Sequence, residues 1–157
     1  MNLSKQHIIG VIGAGDASEV DCDLAQVVGE EIARLGFTLL CGAMGGVMEA
    51  ACMGAKSLNG TTIGILPGTS KAECNPYIDY PIVTGMGHGR NIIVAGSSDA
   101  IIAIGGSYGT LSEIAFALRL KIPIIGINTW DVSPDIKKAQ TPEMAVRMAI
   151  ELINSSS

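Results

Sequence analysis

The stretch HIIGVIGAGDASEVDCDLAQVVGEEIARL, residues 7–35, decides the fold. Residues 7–12 form a short apolar run that stops at Gly13, and so continuous a run suits a strand buried on both faces. From Glu19 onward the apolar residues change spacing. Val20, Leu24, Val27, Val28, Ile32 and Leu35 line one face of a helix over residues 19–35. Ser18 can cap that helix with Asp21 at its third position, and Gly36 ends it. Buried strand, glycine corner and amphipathic helix are the first half of a βαβ unit.

The same alternation continues along the chain. Strands are expected at residues 37–41, 61–66, Ala100–Ile104 and 122–127, with a short extra strand at residues 80–84. Helices are expected at residues 47–58, 89–95, 110–120 and 141–153, the last with Thr141 as cap and Pro142 in its first turn. Residues 154–157 are expected to fray. Strands alternating with helices specify a parallel sheet covered on both faces, and crossovers are right-handed. The fold class is therefore α/β. We expect a single domain over residues 1–157, a doubly wound Rossmann-like sheet of order 3-2-1-4-5 with one further strand.

Composition narrows the function classes. The chain has 157 residues, of which 16% are charged and 20 are glycine; ordinary domains carry about 25% charge and about 7% glycine. Aromatic residues are 4% and the formal net charge is −5, which argues against a base-stacking platform or a grip on a polyanionic backbone, so no nucleic-acid partner is expected. No apolar run approaches the roughly 18 residues of a membrane span, and no membrane partner is expected. Cys22, Cys41, Cys52 and Cys74 show neither CxxC nor His at ligand spacing. They read as free thiols of a cytoplasmic protein, and no metal site is expected. Low charge and the apolar helix at residues 47–58 suggest a homo-oligomer, a dimer or a tetramer built from dimers.

Three strand-to-helix corners are glycine-rich: Gly13 to Ser18, Gly42 to Gly46, and Gly105 to Thr110. In a parallel sheet all three fall on one edge, each offering backbone N–H groups at a helix N-terminus. That arrangement suits an anion-bearing ligand held by Gly13, Gly15, Ser18, Gly42, Gly45, Gly46, Gly105, Gly106, Ser107, Gly109 and Thr110. A classical dinucleotide site is disfavoured, because Cys41-Gly42 stands where the acidic ribose partner belongs. Gly54-Ala55-Lys56-Ser57 lies near the wrong pole of its helix for a phosphate loop.

Gly105-Gly106-Ser107-Tyr108-Gly109-Thr110-Leu111-Ser112-Glu113 resembles the PGGxGTxxE signature of the LOG-like Rossmann superfamily. That superfamily includes nucleoside-monophosphate phosphoribohydrolases. The opening IGVIGAGDAS and the block CGAMGGVMEAA are more similar to the branch of the molybdenum cofactor carrier proteins. The resemblance implies that Arg90 and Glu113 lie at the site. It also implies that the ligand is the molybdenum cofactor, a pterin with a terminal phosphate, or a nucleoside monophosphate, with no cofactor required by the protein itself. The sequence departs from the signature at Gly105, Ser107 and Asn91, where the superfamily has Pro, Gly and Lys. Two functions follow from the resemblance. The first is a binding or carrier protein for a phosphate-bearing heterocycle. The second is a phosphoribohydrolase in which Arg90 grips phosphate and Glu113 stabilises the positive ribose. The residues alone leave a plainer role for Glu113, since Thr110-x-x-Glu113 is a complete capping box. A lysine decarboxylase is not supported, as no Lys stands at a glycine corner to hold pyridoxal phosphate.

Overall fold

The computed structural model describes residues 5–156. Seven strands form one sheet: β1 (Ile8–Gly13), β2 (Thr38–Cys41), β3 (Thr62–Leu66), β4 (Tyr80–Val83), β5 (Ala100–Ile104), β6 (Ile124–Ile127) and β7 (Ile136–Lys138). They pair in the order β4-β3-β2-β1-β5-β6-β7, every pairing parallel. The expected order 3-2-1-4-5 is the middle of this sheet, and the extra strand at residues 80–84 lies at one edge. The strand at the other edge, β7, escaped the sequence reading because only its first residue is buried.

Five helices cover the sheet: α1 (Glu19–Arg34), α2 (Val47–Ser57), α3 (Asn91–Ser97), α4 (Tyr108–Leu120) and α5 (Pro142–Ser155). The pleat sorts each strand between the two faces. Ile9 and Val11 of β1, with Ala100, Ile102 and Ile104 of β5, pack with α1, α2 and α5. Ile12, Ile101 and Ala103 pack with Val94 and Ala95 of α3 and Ile114 and Ala117 of α4. From β1 the chain runs outward through β2 and β3 on one side. It returns through β5 on the other side, with α4 on the opposite face. Strand order therefore reverses between β1 and β5, where a crevice opens beyond the strand ends.

Local signals explain most helix ends. Ser18 Oγ accepts the Asp21 N–H at 3.1 Å, and Gly36 beyond α1 takes φ +80°. Thr141 Oγ1 accepts the Met144 N–H at 3.2 Å with Pro142 at the first helical position. Thr141→Ala should lower stability by about 1 kcal/mol, the usual cost of a lost cap, measurable by chemical denaturation.

Several expectations are corrected. α4 starts at Tyr108, not Thr110, because Gly105 and Gly106 take φ +52° and +119° and turn the chain early. The first intrahelical bond runs from Leu111 N–H to Ser107 O at 3.0 Å. Thr110 is thus inside the first turn, and Thr110 with Glu113 forms no capping box. The helix expected at residues 89–95 is a 3-10 turn, Gly87–Arg90, leading into α3. α5 continues through the segment expected to fray, to Ser155; residues 1–4 and 157 lie outside the described residues. The apolar surface of α2 is consumed within the chain, for Val47, Ala51, Cys52 and Ala55 are buried against α1 and the sheet. That helix therefore lends no support to self-association.

Candidate functional site

Each glycine corner packs on a neighbouring element at this edge of the sheet. Corners one and two touch directly: Val47 N–H donates to Ala14 O at 3.1 Å, and a Cβ at Gly46 would lie 2.2 Å from Ala14 O. Gly46 takes φ +61°, so both space and backbone demand glycine there. A Cβ at Gly13 would strike Val47, and Gly15 and Gly45 face each other across the seam. Corner three meets corner one through Asp21, whose Oδ2 lies 2.3 Å from where a Gly105 Cβ would stand. Ser18 joins by holding the start of α1.

In corner three Gly106 and Ser107 are open to solvent. Its carbonyls are engaged from behind. Thr129 Oγ1 donates to Gly105 O at 2.5 Å, and Trp130 Nε1 donates to Ser107 O at 3.1 Å. Gly105 N–H is taken by Ile127 O at 3.1 Å. Among the described residues, the N–H groups of Gly106, Ser107, Tyr108, Gly109 and Thr110 meet no acceptor. Five consecutive unpaired amides form a cradle at the positive end of a 13-residue helix, where negative charge is favoured. Thr110 Oγ1, in a residue only 1% exposed, also has no partner. A buried hydroxyl normally finds one. This one lies about 2.8 Å from where a Gly106 Cβ would sit.

Arg90 and Glu113 are brought together, but in an unexpected state. Arg90 is 8% exposed. Its Nε donates to Ile65 O at 3.0 Å, Nη2 to Gly42 O at 3.1 Å, and Nη1 to Asn91 Oδ1. Asn91 Nδ2 in turn donates to Ser112 Oγ at 2.9 Å. The guanidinium therefore staples corner two and β3 to α4. Glu113 is 6% exposed, and its carboxyl makes no hydrogen bond among the described residues. Burial pushes its carboxyl up to about 8, against an opposing pull from Arg90. At neutral pH it is mostly a neutral acid.

Four positioning residues carried no readable signal. Asn75 is buried and donates to Met44 O at 2.9 Å and Ala43 O at 3.3 Å, fixing corner two from a distant loop. Asn128, Thr129 and Trp130 follow β6, an ordinary strand with no glycine motif after it. They line a hollow of about 520 Å³ together with Asp21, Gly105, Gly106 and Asp131. Asn128 takes φ +49°, a left-handed conformation that Asn tolerates better than most residues. Cys41 and Cys52 are buried with their Sγ atoms 3.5 Å apart.

A doubly wound parallel sheet with glycine-rich βα corners is the architecture of the Rossmann-like proteins, of which the LOG-like proteins are one class. Within that class the chain belongs to the SLOG cluster4 family, whose model matches residues 6–153. It is similar to the molybdenum cofactor binding protein of the phototrophic bacterium Rippkaea orientalis. The two are 40% identical with TM-score 0.87, covering 97% of this chain and 98% of that one. It is also similar to the molybdenum cofactor carrier protein of Chlamydomonas reinhardtii, at 36% identity and TM-score 0.88, covering 96% and 99%. An uncharacterized protein of Archaeoglobus fulgidus is 46% identical over 142 residues, 90% of this chain and 93% of that one. Among the described residues no helix is long and apolar enough to cross a membrane.

Proposed function

We propose that this protein binds a small phosphate-bearing heterocycle as cargo, the molybdenum cofactor foremost, with the phosphate on the amides of Gly106 to Thr110. The carrying observation is the unpaired row of amides above the partnerless Thr110 hydroxyl. Likeness over nearly the whole chain to proteins that bind or carry the molybdenum cofactor supports the choice of ligand. Gly13, Gly15, Gly42, Gly45 and Gly46 shape the crevice floor, and Ser18 and Gly109 present its helix starts.

Calorimetric titration with molybdenum cofactor and with inorganic phosphate tests this reading. Gly106→Ala forces a Cβ to within 2.5 Å of Thr110 Cγ2 at φ +119°. It should weaken both ligands at least about tenfold, the value of one or two charge-assisted hydrogen bonds. A folded variant with unchanged affinity for both would refute the cradle.

The second reading, N-glycosidic cleavage of a nucleoside monophosphate, rests on Arg90 and Glu113 lying at one site. It fares worse chemically. Arg90 already serves three acceptors within the protein. A Glu113 carboxyl held at about 8 lacks the negative charge that a developing oxocarbenium needs at neutral pH. Release of free base from adenosine monophosphate by the pure protein would reverse this preference.

A further inference from the structure

We infer that the hollow after β6 takes the ring of the same ligand, and that Asp21 selects a pterin- or guanine-type ring over adenine. This inference rests on the binding function proposed above and names the heterocycle class. The hollow of about 520 Å³ adjoins the cradle through Gly106 and is lined by Asp21, Asn128 and Trp130. Two carboxylates line it: Asp21, whose Oδ2 lies beside Gly105, and Asp131, which accepts from Lys138 Nζ at 2.6 Å and is thereby engaged.

Asp21 is not tied up by its helix. Its N–H donates to Ser18 Oγ, but its carboxylate makes no hydrogen bond among the described residues and lies instead beside Gly105. A carboxylate accepts and cannot donate. Pterin and guanine share a ring edge with an N–H and an amino group side by side, two donors for its two oxygens. Adenine offers a ring-nitrogen acceptor beside its amino group, which faces the carboxylate unfavourably. A site built for donors rejects a ring lacking them more strongly than size alone would.

Trp130 supplies the flat wall. Its ring is fixed by the bond to Ser107 O and lies 6.1 Å from Tyr108 at 27°. Tyr108 is 82% exposed, so this aromatic pair stands at the mouth of the cleft. The Asn128 side chain, left without a partner among the described residues at a left-handed corner, is placed to meet the ring's carbonyl.

The test uses guanosine monophosphate, adenosine monophosphate and inorganic phosphate, with affinity measured by calorimetry. The chain has a single Trp, so its fluorescence reports this hollow alone. We expect guanosine monophosphate to bind at least about tenfold tighter than adenosine monophosphate and to change Trp130 emission. Asp21→Asn should remove most of that preference. Removing a negative charge beside the cradle should strengthen phosphate binding, by up to about threefold, the scale of one screened charge. Thermal unfolding verifies that the variant is folded. Equal affinity for the two nucleotides, or a preference unchanged in Asp21→Asn, overturns the inference; phosphate binding lost in Gly106→Ala would then leave the cradle standing. If none of the three probes binds, both readings fall.

Discussion

Gly29→Ala should destabilise the protein by about 3 kcal/mol or more, although alanine is the better helix former. In an exposed helix that exchange gains up to about 1 kcal/mol. Here a Cβ at Gly29 of α1 would stand 1.9 Å from Ala51 O and 2.9 Å from Ala55 N, both backbone atoms of α2. Across the same contact a Cβ at Gly54 would stand 2.0 Å from Gln26 O. Two glycines facing two backbones let α1 and α2 pack closely, and no rotamer can relieve such a collision. The helices must separate, forfeiting contacts among Ala25, Val28, Ala51 and Ala55. Overpacking costs about 1–3 kcal/mol where side chains can yield, and more where backbone must move. The expected fall in melting temperature is about 6–12 °C for a chain of this size. Gly96→Ala is the control: its Cβ would meet only Leu120 Cδ1 at 3.5 Å, ordinary contact. It should leave stability unchanged or slightly raised. A Gly29→Ala protein as stable as wild type would show that the close helix crossing is not what holds this layer.

Those two glycines also mark where the sequence stopped being legible. The continuous runs of β1, β2, β5 and β6 report local burial, which is written into short windows; the periodic residues of α1 do so at Val28 and Ile32, while Val20 and Leu35 at its ends are exposed. Hence the sheet order and the Ser18 and Thr141 caps were readable. That Gly29 and Gly54 face each other is a tertiary fact, absent from either helix alone, so α2 looked like a surface awaiting another copy. The start of α4 has a related cause. A Thr-x-x-Glu spacing is a local cue, but two consecutive positive φ angles at Gly105 and Gly106 set where the helix begins. The glycine corners were legible because their composition is unusual. Asn75, Asn128, Thr129 and Trp130 were not, since they serve through long-range side-chain bonds or as a wall, which no spacing announces.

Glu113→Gln should make the stability of the protein far less dependent on pH between about 4.5 and 8. The Glu113 carboxyl is pushed up to about 8 by burial, with Arg90 only partly opposing the shift. In the unfolded chain the same group titrates near about 4.3. Between those values the native state holds a proton that the unfolded state has released. Stability contributed by this group is therefore complete below the unfolded value, falls as pH rises, and is spent once pH passes the folded value. A separation of this size corresponds to a few kcal/mol, on the scale of about 1.4 kcal/mol per pH unit. Glutamine keeps the shape and stays neutral, so the variant should match wild type near pH 5 and exceed it clearly at pH 9. Comparing the two proteins by thermal unfolding at pH 5, 7 and 9 cancels the titration of every other group. Parallel curves would mean that Glu113 is ionised in the native protein. The carboxylate would then be present at neutral pH, and the chemical objection to glycosidic cleavage at this site would be gone.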